Sequence, residues 1–391
     1  SKQLVIYSSA ISDNNIYSYF SDNSFNICKR AEALGFISEH FYTIAVAGTH
    51  GKTTTSIMLA HILKQTNVDC TAFLGGISKN YNTNFLLSNK SNYLVVEADE
   101  YDHSFLNLKP NIAIITSLDS DHLDIYENHD ELITSFKQFA SQVKDNGCLI
   151  IEESIVEHFS SPKNGELFTY SNSTNSDYYA NNIKQEINKI QFSFNRNNKI
   201  KNKQYSNNKV LLSMPGFHNI SNALAAITAS SYLNIDNNNI TDSLKSFDGV
   251  KRRFDIHHVS DKQVYIDDYA HHPKEVLVTI ETVKKLFPNR TVTVVFQPHL
   301  YSRTSDFAKD FANSLSLADD LIIMDIYPAR EQPIIGVDSS MLLNLCTNKS
   351  KNTCSKSNLL TLLGKKDLDI ILTLGAGDIG SFVEPIKEMI S

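Results

Sequence analysis

Residues 43–55, TIAVAGTHGKTTT, decide the fold class of this chain. The first five residues have the apolar character of a buried strand, and apolar residues at helical spacing follow the segment at positions 57, 60 and 63. Glycines between a strand and a helix let backbone N–H groups close on phosphate oxygens, and the helix N-terminus favours anions. We therefore predict a phosphate-binding loop formed by Gly48, Thr49, His50, Gly51, Lys52, Thr53 and Thr54.

Within this loop, Lys52 is expected to meet the β and γ oxygens of a nucleotide, and the Thr53 hydroxyl is expected to bind Mg²⁺. Val46 stands where the long form of the motif has its first glycine. The competing interpretation is a glycine turn that only joins a strand to a helix.

Composition places the chain among ordinary globular proteins. It has 391 residues, 41% of them hydrophobic, and 36 Lys and Arg against 43 Asp and Glu, which gives a net charge of −7. A basic block of the kind that nucleic acid requires is missing, so we expect no nucleic-acid partner. The length is typical of two or three domains.

The cysteines and apolar runs bear on the compartment. The five cysteines form no CxxC pair, which is typical of reduced thiols and not of a disulfide framework or a zinc site. The apolar runs are far shorter than the ~20 residues that span a bilayer, and the first residues, SKQLVIYSSA, lack the pattern of a secretory signal. We predict a cytoplasmic protein with no membrane segment.

Strand-like and helix-like patterns alternate over most of the chain, which favours an α/β fold with mainly parallel sheets. Residues 151–209 are rich in Asn, Ser and Lys, and we expect antiparallel strands with polar turns there. Composition changes again near Gly249–Asp255. We therefore predict a domain boundary there.

Acidic and histidine side chains follow several of the predicted strands: Glu97 in VVEADEYD, His122 in SLDSDHLD, and Asp267 with Asp268 in YIDDYAHHP. Strand ends beside a phosphate loop are where α/β sheets place ligands. Since Mg²⁺ prefers oxygen ligands and substrate phosphates, Glu97 suits the metal bound to ATP. His122 is an equally good candidate for a metal ligand and for a hydrogen-bonded loop histidine.

Two further patterns suggest ligand contacts. Asn219 and Asn222 lie on one face of a predicted helix, and their amides could pair with an adenine edge, although helix capping by Asn219 explains that residue equally well. Arg252, Arg253 and Arg303 could clamp phosphates or a carboxylate, but each taken alone is typical of a surface ion pair.

Two motif matches are rejected. Gly375–Gly380 fits G-x-G-x-x-G, but too few residues follow it for a second strand and a ribose-binding acid, so we expect no nicotinamide site. Residues 89–92, NKSN, lack the acid of a guanine-reading motif, which weakens a GTPase interpretation.

Nine motifs in order along the chain resemble those of the Mur ligases of bacterial peptidoglycan synthesis: GTHGKTTT, VVEADEYD, DHLDIY, PGFHNISNALAA, GVKRRFD, DDYAHHPKEV, FQPHLYSRT, YPAREQPIIGV and TLGAGD. The resemblance extends from about Leu4 to Gly380. It implies a ligase that uses ATP and Mg²⁺ to phosphorylate the lactyl carboxylate of UDP-N-acetylmuramate, after which the amine of L-alanine displaces phosphate.

The resemblance also implies residue roles. Lys52 and His122 would act in phosphoryl transfer, with one Mg²⁺ on Thr53 and Glu97 and a second on His122. Adenine would contact Asn219 and Asn222, the ribose Asp268, and a phosphate Arg253. The side that binds the acceptor or the amino acid would include His271 and Arg303, together with Tyr269. The resemblance further implies a first segment at 1–42, a central P-loop ATPase domain at 43–250 and a Rossmann-like α/β domain at 251–391, in a monomer or weak homodimer. Because the phosphate loop and Asp268 then lie in different domains, we expect the C-terminal domain to close over ATP about a hinge at Gly249–Arg253. The alternative is a permanently closed interface.

Two features depart from the family pattern, and a third matches only sister ligases. Residues 1–42 look like only the last strand and exit segment of a UDP-binding domain, so we expect weak binding of UDP-N-acetylmuramate by this chain. Leu300 replaces a frequent arginine, and Lys137 matches a carbamoylated metal-binding lysine of sister ligases, although a solvated lysine is the stronger interpretation. The alternatives are a murein-tripeptide recycling ligase, a nucleotide-binding protein that is inactive without its first domain, and a P-loop kinase or GTPase. The motifs DHLDIY and YPAREQPI favour the alanine-adding reaction over the tripeptide ligase.

Overall fold

The computed structural model describes residues 3–8, 15–119, 126, 128–172, 175–197 and 208–390. The chain divides into two compact units. The first comprises Ser1–Lys184, Ile190–Ser213 and Phe217–Asp248, and the second comprises Gln185–Lys189, Met214–Gly216 and Gly249–Ser391.

Twelve strands precede Asp248 in the described residues. They are β1 Leu4–Tyr7, β2 Asn26–Lys29, β3 Tyr42–Ala47, β4 Thr71–Ser78, β5 Thr83–Leu86, β6 Tyr93–Glu97, β7 Ile112–Ile115, β8 Cys148–Glu152, β9 Glu166–Ser171, β10 Tyr178–Glu186, β11 Lys189–Arg196 and β12 Asn208–Leu212. The helices of this part are α1 Asn15–Asp22, α2 Arg30–Glu39, α3 Lys52–Gln65, α4 His129–Ser141, α5 Phe217–Tyr232 and α6 Asn237–Lys245. Short 3₁₀ segments cover Tyr101–Asn107 and Glu153–His158.

The first unit is built on one ten-stranded sheet in the order β12-β11-β10-β9-β8-β7-β3-β6-β4-β5. Strand β3 pairs in parallel with β6 and β7, and its residues Ile44–Ala47 are fully buried. A parallel strand covered on both faces must be apolar throughout, which explains the sequence TIAVA. The carboxyl end of β3 therefore opens onto the predicted phosphate loop from the centre of the sheet.

The expectation of antiparallel strands between residues 151 and 209 is only partly right. Strands β11 and β12 are antiparallel, but β9 pairs in parallel with β8, and β10 pairs in parallel with β9. Phe168 and Tyr170 of β9 are buried, so this strand extends the core of the parallel sheet despite its polar surroundings. The 3₁₀ segment Glu153–His158 lies in the connection that returns the chain to the same direction.

Strands β1 and β2 form a separate two-stranded parallel sheet, with α1 between them in sequence. The sequence predicted one strand and an exit segment in this region, and the second strand was missed because NICK is short and mixed in polarity.

The second unit contains a six-stranded sheet with helices on both faces. Its strands are β13 Asp255–Val259, β14 Val264–Asp268, β15 Val292–Phe296, β16 Asp320–Met324, β17 Ser350–Cys354 and β18 Ile370–Leu374. Its helices are α7 Pro273–Leu286, α8 Tyr301–Asp306, α9 Ala308–Leu315, α10 Ser339–Leu345, α11 Leu359–Leu363 and α12 Val383–Ile390, with 3₁₀ turns at Lys356–Asn358 and Asp378–Phe382.

The strand order is β13-β14-β18-β15-β16-β17, parallel except for β13, and two apolar clusters separate the sheet from its helices. The predicted α/β class, with a mainly parallel central sheet and a Rossmann-like second unit, is confirmed. Among the helices of the described ranges, none is long and apolar enough to cross a membrane.

Candidate functional site

The loop between β3 and α3 has the backbone of a phosphate cradle. Gly48 and Gly51 have φ values of 133° and 83°, which favour glycine. A Cβ at Gly48 would lie 2.0 Å from Thr116 Oγ1, so a side chain there is also excluded by space. The Ser117 hydroxyl accepts from the backbone N–H of His50 at 2.8 Å and thereby anchors the loop to the segment after β7.

Lys52 lies across this loop in a fixed position. Its Nζ donates to the Gly48 carbonyl at 2.7 Å and to Glu100 Oε1 at 2.7 Å, and Glu100 is completely buried. Burial lowers the pKa of Lys52, but the carboxylates of Glu100, Asp99 and Glu97 raise it more, so the net pKa lies above its ordinary value. The lysine is therefore held as a cation at the predicted phosphate position.

Glu100 is a site residue that the sequence interpretation missed. It lies in the quoted motif VVEADEYD, three residues after Glu97, and its backbone carbonyl accepts from the Tyr126 hydroxyl at 2.7 Å. The signal was present as a second acid just beyond a strand end. Spacing alone does not show which acid faces the lysine.

Thr53 and Glu97 meet beside the loop as predicted for a metal site. Thr53 Oγ1 donates to Glu97 Oε1 at 2.9 Å, and Glu97 Oε2 accepts from the Gly75 backbone N–H at 2.8 Å. A hydroxyl and a carboxylate at this spacing fit Mg²⁺, which takes one or two protein oxygens and completes its shell with phosphates and water. Within the described part of the chain, no three His, Cys, Asp or Glu side chains cluster as a metal site.

The family resemblance suggests two further metal ligands, His122 and Lys137. His122 lies in the stretch 120–125, outside the described residues. Lys137 is described, and it is exposed on α4.

The other loop residues have structural contacts. Thr49 Oγ1 lies 2.9 Å from Ser117 Oγ and accepts from the Asp119 N–H at 2.9 Å. His50 Nε2 lies 3.6 Å from Asp119 Oδ2, an ion pair only when the imidazole is protonated. Thr54 is buried in the first turn of α3. These contacts tie the loop to the segment after β7.

The paired asparagines lie on α5, next to the start of α3. Thr55 Oγ1 donates to Asn222 Oδ1 at 3.3 Å. The amide nitrogen of Asn222 in turn donates to Asn219 Oδ1 at 3.2 Å. A Cβ at Gly51 would lie 2.5 Å from Asn222 Oδ1, so this helix packs closely against the loop. The two amides are thus near the phosphate loop, and their assignment to adenine stays a prediction.

In the second unit, Asp268 organises the loop after β14. Its two oxygens accept from the backbone N–H groups of Phe254 and Ala270, each at 2.7 Å. Burial raises the pKa of Asp268 to about 6, against the lowering effect of Arg253 and of these two hydrogen bonds. The carboxylate therefore supports local backbone, and its predicted contact with a ribose is untested.

The two adjacent arginines differ in their surroundings. Arg252 Nε donates to Asp267 Oδ2 at 2.9 Å, and its Nη2 donates to the Gly375 carbonyl at 2.6 Å, which makes Arg252 a structural residue. Arg253 stacks over the Tyr269 ring at 5.0 Å and lies 3.9 Å from Glu275. Arg253 is thus the less tightly held of the two, as a ligand-contacting residue requires.

A cluster of two histidines and one arginine lies at the carboxyl ends of β14 and β15. His271 Nδ1 lies 2.9 Å from the Tyr269 carbonyl oxygen, and its ring centre is 6.0 Å from that of His299. Arg303 is buried on α8. Burial and the charge of Arg303 lower the pKa of His299 to about 4. His299 was missed by the sequence interpretation, although it lies in the quoted motif FQPHLYSRT.

The rejected dinucleotide motif serves packing. A Cβ at Gly377 would lie 2.4 Å from Gln297 Oε1, and one at Gly380 would lie 2.7 Å from Arg252 Nη1. These glycines let neighbouring side chains approach the backbone of the loop after β18.

The structure thus brings Lys52, Thr53, Glu97 and Asn222 together within the first unit. Within the second unit it brings Asp268, Arg253 and His271 to the ends of parallel strands, with Arg303 following β15 on α8. These are the strand ends at which α/β sheets bind ligands.

Known proteins share these features. The Mur ligase middle domain matches residues 46–230, and the Mur ligase glutamate ligase domain matches residues 252–377. A UDP-N-acetylmuramate–L-alanine ligase of Cytophaga hutchinsonii is 44% identical over 393 residues, which cover 98% of this chain and 82% of that protein.

Solved structures agree with this similarity. The UDP-N-acetylmuramate–alanine ligase MurC of Thermotoga maritima aligns with a TM-score of 0.79 at 28% identity, covering 98% of this chain and 85% of that one. A murein peptide ligase of Psychrobacter arcticus aligns with a TM-score of 0.70 at 24% identity, covering 99% of this chain and 85% of that one, and shows the fold alone. Three observations agree: the phosphate loop with its charged lysine, the two-unit α/β architecture, and a relative that is 44% identical over nearly the whole chain. The chain therefore belongs to the Mur ligase family.

Proposed function

We propose that this chain is an ATP-dependent, ADP-forming ligase that joins L-alanine to UDP-N-acetylmuramate through an acyl phosphate. The observation that carries the proposal is the charged Lys52 beside the Thr53–Glu97 pair, at the phosphate loop of a Mur ligase. The name of the relative from Cytophaga hutchinsonii supplies the two substrates.

In the first step, a carboxylate oxygen of the acceptor attacks the γ-phosphorus of ATP and ADP leaves. This transfer needs positioning and charge neutralisation more than a protein nucleophile. Lys52 supplies one fixed positive charge beside the transferred group. Mg²⁺, when bound at Thr53 and Glu97, neutralises further charge on the β and γ phosphates.

In the second step, the amine of L-alanine attacks the carbonyl carbon of the acyl phosphate and forms a tetrahedral intermediate. The C–O bond to phosphate then breaks, and inorganic phosphate leaves with the oxygen that came from the acceptor. We assign Arg303 and His271 to the amino-acid side, where a fixed guanidinium suits a carboxylate. We assign Asn219 and Asn222 to adenine, Asp268 to the ribose and Arg253 to a phosphate.

The remaining assignments complete the proposal. We assign the segments 1–42, 43–250 and 251–391 to an acceptor-side segment, the ATP-binding domain and the amino-acid-side domain. His122 is proposed as a ligand of a second Mg²⁺. The enzyme is proposed to work in the cytoplasm as a monomer or weak homodimer.

The test is release of inorganic phosphate from ATP and Mg²⁺, with UDP-N-acetylmuramate raised until the rate no longer increases. Each of a panel of amino acids and the murein tripeptide is supplied in turn. We expect release that requires both the acceptor and L-alanine. Release with the tripeptide and not with L-alanine would instead identify a recycling ligase, and release without any acceptor would contradict both.

A further inference from the structure

A cavity of about 500 Å³ opens at the edge of the ten-stranded sheet opposite to the phosphate loop. Tyr42, Tyr93 and Glu166, the first residues of β3, β6 and β9, lie on its wall. Since β3 carries the chain from Tyr42 to Gly48 at ~3.3 Å per residue, the cavity and the loop are about 20 Å apart. The cavity is therefore separate from the nucleotide site.

Half of the residues that line the cavity are aromatic. The centres of Tyr42 and Tyr93 are 5.1 Å apart, and Phe168 lies 6.1 Å from Tyr178 and 6.2 Å from Tyr232. The rings in each pair are steeply inclined to each other, so faces and edges both line the space. Such walls suit a planar ring, which can pair with them by stacking or edge-on contact.

Arg196 supplies the charge in this aromatic setting. Its guanidinium lies 5.6 Å from the Phe168 ring centre and 5.5 Å from that of Tyr178. The Nε hydrogen is buried, and no acceptor for it is found in the described part of the chain. Because Nε is shielded from the cavity as well, the groups left for a ligand are the terminal N–H groups of the guanidinium, which pair with carboxylates.

The other polar groups restrict the ligand further. Burial raises the pKa of Tyr42 to about 12, so its hydroxyl remains a hydrogen-bond donor at every physiological pH. Glu166 lines the same cavity and is exposed, and its negative charge disfavours a ligand with several negative charges. The lining thus suits one negative charge and selects against a polyphosphate.

We propose that the cavity between Arg196, Glu166 and the rings of Tyr42, Tyr93, Phe168 and Tyr178 binds a small planar aromatic monocarboxylate. The carboxylate accepts from Arg196, and the ring lies among the aromatic side chains. This site is independent of the ligase reaction, because Arg196 and Glu166 have no part in the proposed chemistry.

The test is calorimetric titration with indole-3-acetate, in the presence of saturating Mg²⁺ and ADP so that the phosphate loop is filled. Indole-3-acetamide and acetate serve as the neutral-ring and ring-free controls. We expect saturable one-to-one binding of indole-3-acetate, with each control at least about tenfold weaker, since a hydrogen bond to a charged group has about that effect.

Arg196→Met should weaken indole-3-acetate binding by about tenfold, while Arg30→Met, at an exposed arginine on α2 outside the cavity lining, should not change it. Both variants should retain the ADP affinity of the wild type, which reports an intact fold. Tyr93→Leu removes one wall ring and provides a second test if Arg196→Met fails to fold. Absence of saturable binding, or equal binding by the wild type and the folded cavity variant, would overturn the proposal.

Discussion

Glu100 has the largest effect among the carboxylates that raise the pKa of Lys52. Glu100 is completely buried, and its carboxylate lies 2.7 Å from Lys52 Nζ. The side chain of Lys52 is only 13% exposed. Removal of one member of such a pair leaves the other as an uncompensated buried charge. Function and stability are therefore coupled at this residue, and a substitution of Lys52 tests both.

We expect Lys52→Ala to lower ATP turnover at least about a hundredfold, because it removes charge that stabilises the transferring phosphoryl group. It should also reduce stability by about 3 kcal/mol, because Glu100 loses its cation. Steady-state phosphate release and the thermal midpoint check the two effects. Lys163→Ala, at a largely exposed lysine, is the matched control.

The double variant Lys52→Ala/Glu100→Gln separates the two effects. It should recover much of the lost stability and none of the lost turnover, since the amide leaves no buried charge. Recovery of turnover in the double variant would contradict the role given to Lys52.

His299 makes the second unit sensitive to acid. Its folded-state pKa of about 4 lies below the ordinary value of 6.5, so the neutral imidazole is favoured by folding. The resulting stability is complete above pH 6.5 and is lost as the pH falls toward 4, by about 3 kcal/mol in all. We predict that His299→Phe reduces the fall in thermal midpoint between pH 7 and pH 4, since a phenyl ring does not titrate.

The matched control for this pH series is His40→Phe, at an exposed histidine of the first unit. It should retain the pH dependence of the wild type. An identical acid-induced loss in the wild type and His299→Phe would show that burial of His299 has no such effect.

At the scale of elements, strand pairing brings the metal-site residues together. Parallel pairing of β4 with β6 places Gly75 beside Glu97, and the Gly75 N–H orients that carboxylate toward Thr53. A Cβ at Gly75 would lie 2.2 and 2.3 Å from the two Glu97 oxygens. The proposed metal site thus depends on a neighbouring strand that carries none of the proposed ligands.

We predict that Gly75→Ala displaces the Glu97 carboxylate and raises the Mg²⁺ concentration for half-maximal phosphate release about tenfold or more. Titration of activity with Mg²⁺ at fixed ATP measures the shift. Gly364→Ala is the control, since its Cβ would meet only the Leu360 carbonyl oxygen, at 3.3 Å. An unchanged Mg²⁺ dependence in Gly75→Ala would contradict the role given to Glu97.

The type of an element could be predicted where the spacing of its apolar residues matches the way the element is buried. The pattern TIAVA followed by GTHGKTTT indicated a buried strand, a glycine loop and a helix, and β3 and α3 are found there. The direction of β9 and β10 was not predictable, because it depends on the free edge of β8 and not on the local Asn-rich sequence. The local sequence does not show whether the next strand turns back as a hairpin or returns in the same direction through a crossover.

The same distinction holds for the site. Lys52, Thr53 and Glu97 could be named from motif and spacing, whereas Glu100, Gly75 and His299 act through contacts that only the folded chain provides. Of two adjacent arginines, spacing could not show that Arg252 is structural and Arg253 more weakly held.

At the scale of the whole molecule, two α/β units each present polar side chains at the ends of parallel strands. The first holds the phosphate loop and the proposed metal ligands, and the second holds the proposed ribose and amino-acid contacts. The chain spans 82% of the length of its relative from Cytophaga hutchinsonii. We propose that this molecule activates a carboxylate by phosphorylation before an amine attacks it.

Transfer of an oxygen isotope from the acceptor carboxylate to phosphate tests this activation step. UDP-N-acetylmuramate labelled with oxygen-18 in its lactyl carboxylate is incubated with the enzyme, ATP, Mg²⁺ and L-alanine, and the released phosphate is analysed by mass spectrometry. Because phosphate leaves with one oxygen of the acceptor, the account predicts one oxygen-18 atom in each phosphate released. Formation of the amide product with unlabelled phosphate would contradict it.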